Sequence, residues 1–230
     1  MPLRLLADDI HCGSAAQVLQ LLSAIQSLDF FDDLHRYRYQ GEWIPWSVSA
    51  IAQPLSAEDR EQINRYKDGP LGWEARGNWV HAAAEAKLLG QELPPDPEGY
   101  YSSWVKGMEG CWLFDGAEVL ATEFKLVDKQ RKRYAGSFDP LIRMPEGNVN
   151  LVDFKSVSST KSMSTRKPAT KQLGGYASML IDWFPHITID KLVTCVIAPG
   201  NSRVISDDVS DGLMAWSDAW DAFQLLECPW

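Results

Sequence analysis

The chain has 230 residues and a mass of 25.8 kDa, with 45% hydrophobic, 23% charged and 11% aromatic residues. That composition supports one sizeable core and excludes a disordered chain, a collagen-like repeat and a small disulfide scaffold. The net charge of -9 argues at first sight against a nucleic-acid partner, but residues 125–171 carry eleven Lys/Arg against four Asp/Glu, a net +7 that leaves -16 for the remainder.

In chain order, residues 14–28 (SAAQVLQLLSAIQSL) place apolar side chains at helical spacing behind Ser14 as N-cap. Residues 35–51 (HRYRYQGEWIPWSVSAI) are aromatic and β-branched, which predicts short strands or an extended loop, with Pro45 and Pro54 excluding a regular central strand. A polar helix is expected around 56–67, broken at Gly69-Pro70. A second helix over 73–89 (WEARGNWVHAAAEAKLL) is stopped by Gly90 and by Pro94-Pro95. Three strand-like runs follow at 117–127, 133–143 and 149–156, the last two joined as a hairpin by the turn Pro145-Glu146-Gly147-Asn148. Residues 156–171, polar, basic and rich in Ser and Thr, read as a loop. A helix is expected over 168–183 with Pro168 in its first turn, then a strand at 190–198 and an acidic amphipathic helix at 208–226. Strands mixed with helices in this order predict an α/β fold with a mixed sheet. Residues 1–70 read as an N-terminal helix and aromatic-rich segment packed on a core formed by residues 71–230.

Cys12, Cys111, Cys195 and Cys228 are scattered, with no CxxC and no Cys/His pair at zinc spacing, so buried reduced thiols are expected. No apolar run approaches the roughly 18 residues of a membrane helix. Acidic residues at Asp8 and Asp9 come too early for a signal peptide. The expectation is a cytoplasmic protein without a membrane partner.

The chemistry concentrates at Asp153-Phe154-Lys155. On a strand, residues i and i+2 face the same way, so the carboxylate and the ammonium lie side by side, about 6–7 Å apart, among Leu151, Val152 and Phe154. An isolated pair of this kind reads as a structural ion pair offsetting desolvation. The hairpin, however, can bring Asp139 beside Asp153. Two close carboxylates repel, and a divalent cation resolves the conflict. Mg²⁺ (or Mn²⁺) prefers oxygen ligands and retains waters, which makes such a pair usable for hydrolysis, with Lys155 orienting the attacking water and stabilising charge on a phosphate. Gln172 and Tyr176 share a helix face, and between them Gly174 and Gly175 each cost about 1 kcal/mol against alanine. Close approach of another backbone, from the sheet or a nucleic acid, would explain that cost. His81 and Glu85 are also four apart, and a lone helix histidine is more often surface or satisfied core than a ligand.

The ordered set Gly77-x-x-x-His81, Gly136-x-x-Asp139, Asp153-x-Lys155 and Gln172-x-x-x-Tyr176 resembles the PD-(D/E)XK nuclease superfamily, in its RecB-like/Cas4-like branch with many phage exonucleases. The segment Pro45-Trp46-Ser47-Val48-Ser49-Ala50-Ile51 is similar to one preceding the histidine motif there, and the likeness spans roughly residues 43–225. The resemblance implies a restriction-endonuclease-like core, a mixed central β-sheet flanked by helices. It implies His81, Asp139 and Asp153 as metal ligands with the Phe154 carbonyl as a further one, and Lys155 as the catalytic lysine. Gln172 and Tyr176 would support the site or hold the DNA backbone, and Glu123 matches an acidic position that serves a second metal in some members. Some members cluster three cysteines near the C-terminus for an iron–sulfur cluster. Only Cys195 and Cys228 lie in that half here, so no cluster is expected. Pro140, directly after Asp139, removes a ladder donor and predicts an edge or bulge.

The basic stretches at Lys129, Arg131, Lys132 and Arg133 and at Lys161, Arg166, Lys167 and Lys171 flank the site in sequence and suggest phosphate tracking rather than a merely solvated face. Trp43, Trp46 and Tyr39 are candidates for stacking on unpaired bases. The leading expectation is a Mg²⁺- or Mn²⁺-dependent DNA exonuclease of phage replication or recombination type. A structure- or site-specific endonuclease on the same core is the alternative, and a non-catalytic nucleic-acid-binding recombination accessory protein is the alternative of another class. A phage single-strand annealing protein as partner is an association of the family.

Overall fold

The turn at 145–148 closes the hairpin on which the sheet is built. In the computed structural model, which describes residues 27–31, 34, 36–131 and 133–227, the elements are β1 (Leu28–Phe31), β2 (Arg36–Tyr39), β3 (Glu42–Trp43), β4 (Trp46–Ser47), α1 (Val48–Ala52), α2 (Ala57–Asn64), α3 (Trp73–Leu88), α4 (Ser102–Glu109), a 3₁₀ turn (Trp112–Phe114), β5 (Glu118–Val127), β6 (Tyr134–Arg143), β7 (Val149–Ser156), α5 (Thr160–Thr165), α6 (Thr170–Trp183), β8 (Lys191–Ala198), β9 (Asn201–Asp207) and α7 (Val209–Glu227). The expected helix over 14–28 lies outside the described residues as far as residue 26, and its last residue, Leu28, opens a strand.

Six strands form one mixed sheet: β4 is parallel to β6, β5 and β7 are antiparallel to β6, β7 is parallel to β8, and β9 is antiparallel to β8. β1, β2 and β3 form a small antiparallel sheet of their own. The fold is thus mixed α/β with a central sheet flanked by helices, as expected. The segment before residue 70 contributes β4 to that sheet, and Tyr37, Tyr39, Ile44, Val48 and Ile51 join the same buried cluster as α6 and α7.

The sheet has a core on each face. Leu141, Leu151 and Leu192 pack with Leu173, Leu180, Trp216 and Phe223 of α6 and α7, whereas Ile142, Val152, Phe154 and Val193 pack with Val80, Ala83, Ala84, Trp104 and Met108 of α3 and α4. Strand alternation therefore turns Asp153 and Lys155 toward the α6 side and Phe154 toward α3. Cys111 and Cys195 are buried free thiols, Sγ to Sγ 3.9 Å, while Cys12 and Cys228 lie outside the described residues. No helix among the described residues is long and apolar enough to cross a membrane.

Several expectations are corrected. Residues 156–171 are not wholly loop, because Ser159 caps Ser162 N–H and nucleates α5. Pro168 stands before the N-cap Ala169 rather than inside the first turn of α6. The extended reading of 35–51 fails from Val48 onward, where Ser47 accepts from Ala50 N–H and starts α1. α4 and β9 were not anticipated. The glycines of α6 make room for α7: a Cβ at Gly174 would lie 1.9 Å from the Gly212 carbonyl oxygen, and one at Gly175 would lie 2.8 Å from the Trp216 ring. The close neighbour is a helix, not the sheet or a nucleic acid.

Candidate metal centre and active site

The site sits in a fork of the sheet. One edge of β6 pairs with β4 at Tyr134 and Ala135 and with β7 only from Leu141 to Arg143. Between these stretches that edge carries no ladder. Pro140 lacks the N–H to continue it, and β5 opposite is bulged between Val119 and Ala121. The register of the hairpin places Asp139 opposite Asp153, and the Asp139 side chain spans the opening: Oδ2 accepts the Phe154 N–H at 2.6 Å, and Oδ1 lies 3.3 Å from His81 Nδ1.

His81 reaches Asp139 from α3. With Gly77 one turn earlier, where a Cβ would meet nothing closer than Ser156 Oγ at 3.8 Å, α3 lies close against this end of β7. The His81 ring stands edge-on to Phe154. Glu123 completes the group. One ligand atom from each of His81, Glu123 and Asp139 lies within 4.8 Å of the others, and Ser137 Oγ donates to Glu123 Oε2 at 3.3 Å. Glu123 has φ +47°, a left-handed conformation inside a strand that is disfavoured for any residue with a Cβ and that is commonly found where function fixes the backbone.

Asp153 stands beside this trio rather than within it. It is 2% exposed, with Lys155 Nζ 2.8 Å from each carboxylate oxygen. Only the contact to Oδ1 has hydrogen-bond geometry, and Oδ2 is buried without a hydrogen-bond partner. Lys155 Nζ also donates to Gln172 Oε1 at 3.1 Å, and Gln172 Nε2 donates to Tyr176 Oη at 3.2 Å. The four residues Asp153, Lys155, Gln172 and Tyr176 thus form one chain of hydrogen bonds from β7 into α6. Tyr176 is itself seated by Gly136, where a Cβ would stand 2.6 Å from Tyr176 Cε1.

The electrostatics are those of crowded charge. Burial lowers the basicity of His81, but the charge and hydrogen bond of Asp139, with help from Asp153, win and raise its pKa to about 9. Burial pushes Asp139 up, yet His81, Lys155 and the Phe154 N–H hold it below the ordinary carboxylate range. Burial and the neighbouring Asp139 charge raise Asp153 despite Lys155. Burial, Asp139 and Glu85 raise Glu123, partly opposed by His81 and Ser137. Burial keeps the Tyr176 hydroxyl protonated, its pKa well above the usual value.

These residues fit a divalent cation. The donor set of two carboxylates and one imidazole suits Mg²⁺ or Mn²⁺, the imidazole favouring Mn²⁺, and the orphaned Asp153 Oδ2 is a further oxygen at hand.

Two clefts open from the site. One of about 1240 Å³ is lined by His81, Glu85, Glu123, Lys155, Arg76 and Arg60, among others, and one of about 790 Å³ by Lys155, Gln172, Arg166, Lys167 and Lys171. Lys161, on α5, lines neither. Lys129 lies elsewhere: its Nζ donates to the Asp182 carbonyl at the far end of α6 and sits 5.3 Å from the Trp183 ring. Arg133 donates to Gln224 of α7. Arg131 is exposed on the same loop, and Lys132 lies outside the described residues. Among the described residues, neither Lys129, Arg131 and Arg133 nor Lys161 is brought to the acid cluster. Of the aromatic candidates, Tyr39 is core at 5% exposure, Trp43 is packed by Phe31 and Arg36, and Trp46 lines the larger cleft against Phe223. Sequence reasoning noticed Glu85 without giving it a role and missed Arg76. Only the i,i+4 spacing from His81 pointed to Glu85, and nothing in the sequence pointed to Arg76.

No protein-family profile and no curated protein matches the chain. Among solved structures, SSO0001 aligns at 13% identity over 94% of this chain and 97% of its own, with a TM-score of 0.38. An alkaline exonuclease from Laribacter hongkongensis (LHK-Exo) aligns at 11% identity over 80% and 91%, TM-score 0.38. The complex of LHK-Exo with dAMP aligns at 12% over 80% and 88%, TM-score 0.36. Scores this low decide neither ancestry nor chemistry.

Proposed function

We propose that the chain is a Mg²⁺- or Mn²⁺-dependent deoxyribonuclease of PD-(D/E)XK type, acting as an exonuclease on DNA phosphodiester bonds. The observation that carries this reading is the convergence of His81, Glu123 and Asp139 within 4.8 Å, beside a lysine held by Asp153 and Gln172. His81, Asp139 and Glu123 would hold the cation, with Asp153 Oδ2 and the Phe154 carbonyl completing the set. A strand residue directs its N–H and C=O to the same edge, and the Phe154 N–H already points at Asp139.

A divalent cation there supplies positive charge that polarises the phosphate and acidifies a water. Lys155 contributes a fixed ammonium. Held between Asp153 and Gln172, its Nζ can orient the incoming water and stabilise the charge that grows on the phosphoryl oxygens as the P–O bond to the leaving sugar breaks. Gln172, braced by the Tyr176 hydroxyl, keeps Nζ from collapsing fully onto Asp153. Arg166, Lys167 and Lys171 in the smaller cleft give the DNA backbone a cationic path to Lys155.

The test is to incubate end-labelled linear DNA and a closed circle of the same sequence with Mg²⁺, Mn²⁺ or chelator. The proposal expects cation-dependent release of short products from the linear form and an intact circle. A cut circle moves the assignment to an endonuclease on the same core. No cleavage of either form with cation present ends the nuclease reading and leaves a DNA-binding accessory protein.

A further inference from the structure

Arg76 sits in the first turn of α3 and is 8% exposed, yet it lines the larger cleft together with His81. Its hydrogen bonding is incomplete. Nη1 donates to the Leu71 carbonyl at 3.0 Å, Nε is buried without a partner, and no carboxylate pairs with the guanidinium among the described residues. Burial accordingly lowers its pKa, with Tyr101 the opposing influence. Burying a guanidinium without a counter-charge is costly, and such a group calls for an anion.

The surroundings are built for one. Gly72 is the N-cap of α3 and provides no side-chain cap, so the positive end of a 16-residue helix is left without a side-chain acceptor. The one acid in that turn, Glu74, is engaged by Lys67 at 3.0 Å. A Cβ at position 72 would lie 2.1 Å from the Lys67 carbonyl oxygen, so a capping Ser or Asp cannot occupy it. With Nη1 committed to Leu71 and Nε enclosed, Nη2 is the donor left to an oxygen of a phosphate in the cleft that Arg76 lines.

We propose that Arg76 is a phosphate-binding residue that holds a non-scissile phosphodiester of the nucleic-acid strand in the larger cleft. Arg76 stands five positions before His81 on α3, and both line the same cleft. The assignment deepens the nuclease reading and rests on it for the identity of the ligand. Arg76 binds and positions, and takes no part in bond breaking.

The test is a binding titration in chelator, where no cleavage occurs, with oligonucleotides carrying a single neutral methylphosphonate linkage moved stepwise along the strand. Wild type is expected to lose about tenfold in affinity at one linkage outside the scissile one. Arg76→Gln is expected to be insensitive at that linkage and to lower the slope of log affinity against log salt by about one. Arg76→Lys, which keeps the charge and loses the planar guanidinium, falls between the two. A wild-type protein with no sensitive linkage beyond the scissile one overturns the proposal without any variant, as does a folded Arg76→Gln that keeps the wild-type pattern. Absence of metal-dependent cleavage in the companion assay defeats the nuclease reading while leaving this pattern of binding to be observed or not.

Discussion

Asp139 Oδ2 accepts the backbone N–H of Phe154 at 2.6 Å, filling a place that a strand carbonyl fills elsewhere in the ladder. A carboxylate has thus replaced one sheet hydrogen bond. That substitution leaves its other oxygen free to face His81 from the opposite side of the fork.

Lys155→Ala should lower DNA cleavage by about 10²–10³-fold or more while DNA binding in chelator changes little, because the ammonium acts on charge that develops during the reaction. Single-turnover rates on end-labelled DNA, with melting temperature as a control for folding, give the answer. Full activity in the variant removes Lys155 from the chemistry.

Asp139→Asn should weaken Mn²⁺ binding by at least about tenfold, because it converts the carboxylate shared by the trio into an amide and leaves His81 without its ionic partner. Glu123→Gln should do the same to a smaller extent. Asp153→Asn should lose both cation and turnover. Calorimetric titration with Mn²⁺ measures each. A Glu123→Gln variant with undiminished affinity would place the cation on Asp139 and Asp153 instead.

The metal-free protein should lose stability as the solution becomes basic. His81 has a pKa of about 9 in the folded chain against 6.5 in a free histidine, so it binds its proton more tightly when folded. The stabilisation is complete below about pH 6.5 and disappears as pH rises through about 9. A third of the imidazole still faces solvent, which limits the loss to about 1–2 kcal/mol. Urea midpoints in chelator at pH 6.5 and 9.5 should show the decline, and His81→Asn should flatten it. Saturating Mn²⁺ should remove it, since the ion displaces the proton.

Gly136→Ala should cost about 1–3 kcal/mol, because the new methyl meets Tyr176 Cε1 at 2.6 Å and Val48 at 3.2 Å. The displaced Tyr176 carries Gln172 with it, so cleavage should fall further than stability alone explains. Tyr176→Phe, which removes only the hydroxyl that braces Gln172, should leave the fold intact with a loss of about 1 kcal/mol and a reduced rate. Denaturation curves and rates measured on both variants separate packing from bracing.

Much of this arrangement was written in local sequence. The turn at 145–148 specified the hairpin, and its register alone set Asp139 opposite Asp153. Helical spacing put Gln172 and Tyr176 on one face, where they do bond each other. What stayed hidden depended on contacts between distant segments. The left-handed backbone at Glu123 has no signature in a Glu on a β-rich run, and the packing of α6 on α7 through Gly174 and Gly212 joins positions 38 residues apart. The placement of Lys129 at the far end of α6 likewise follows from tertiary geometry, which adjacency in sequence could not show.

The fork has a consequence for how the molecule matures. Its upper wall is a two-residue rung donated by Trp46 and Ser47 and its lower wall begins at Leu151, so the gap exists only after both distant stretches have docked on the same strand edge. A half-assembled chain therefore lacks the opening that the Asp139 side chain spans between the Phe154 N–H and His81, and the geometry of that cluster is completed only late in folding.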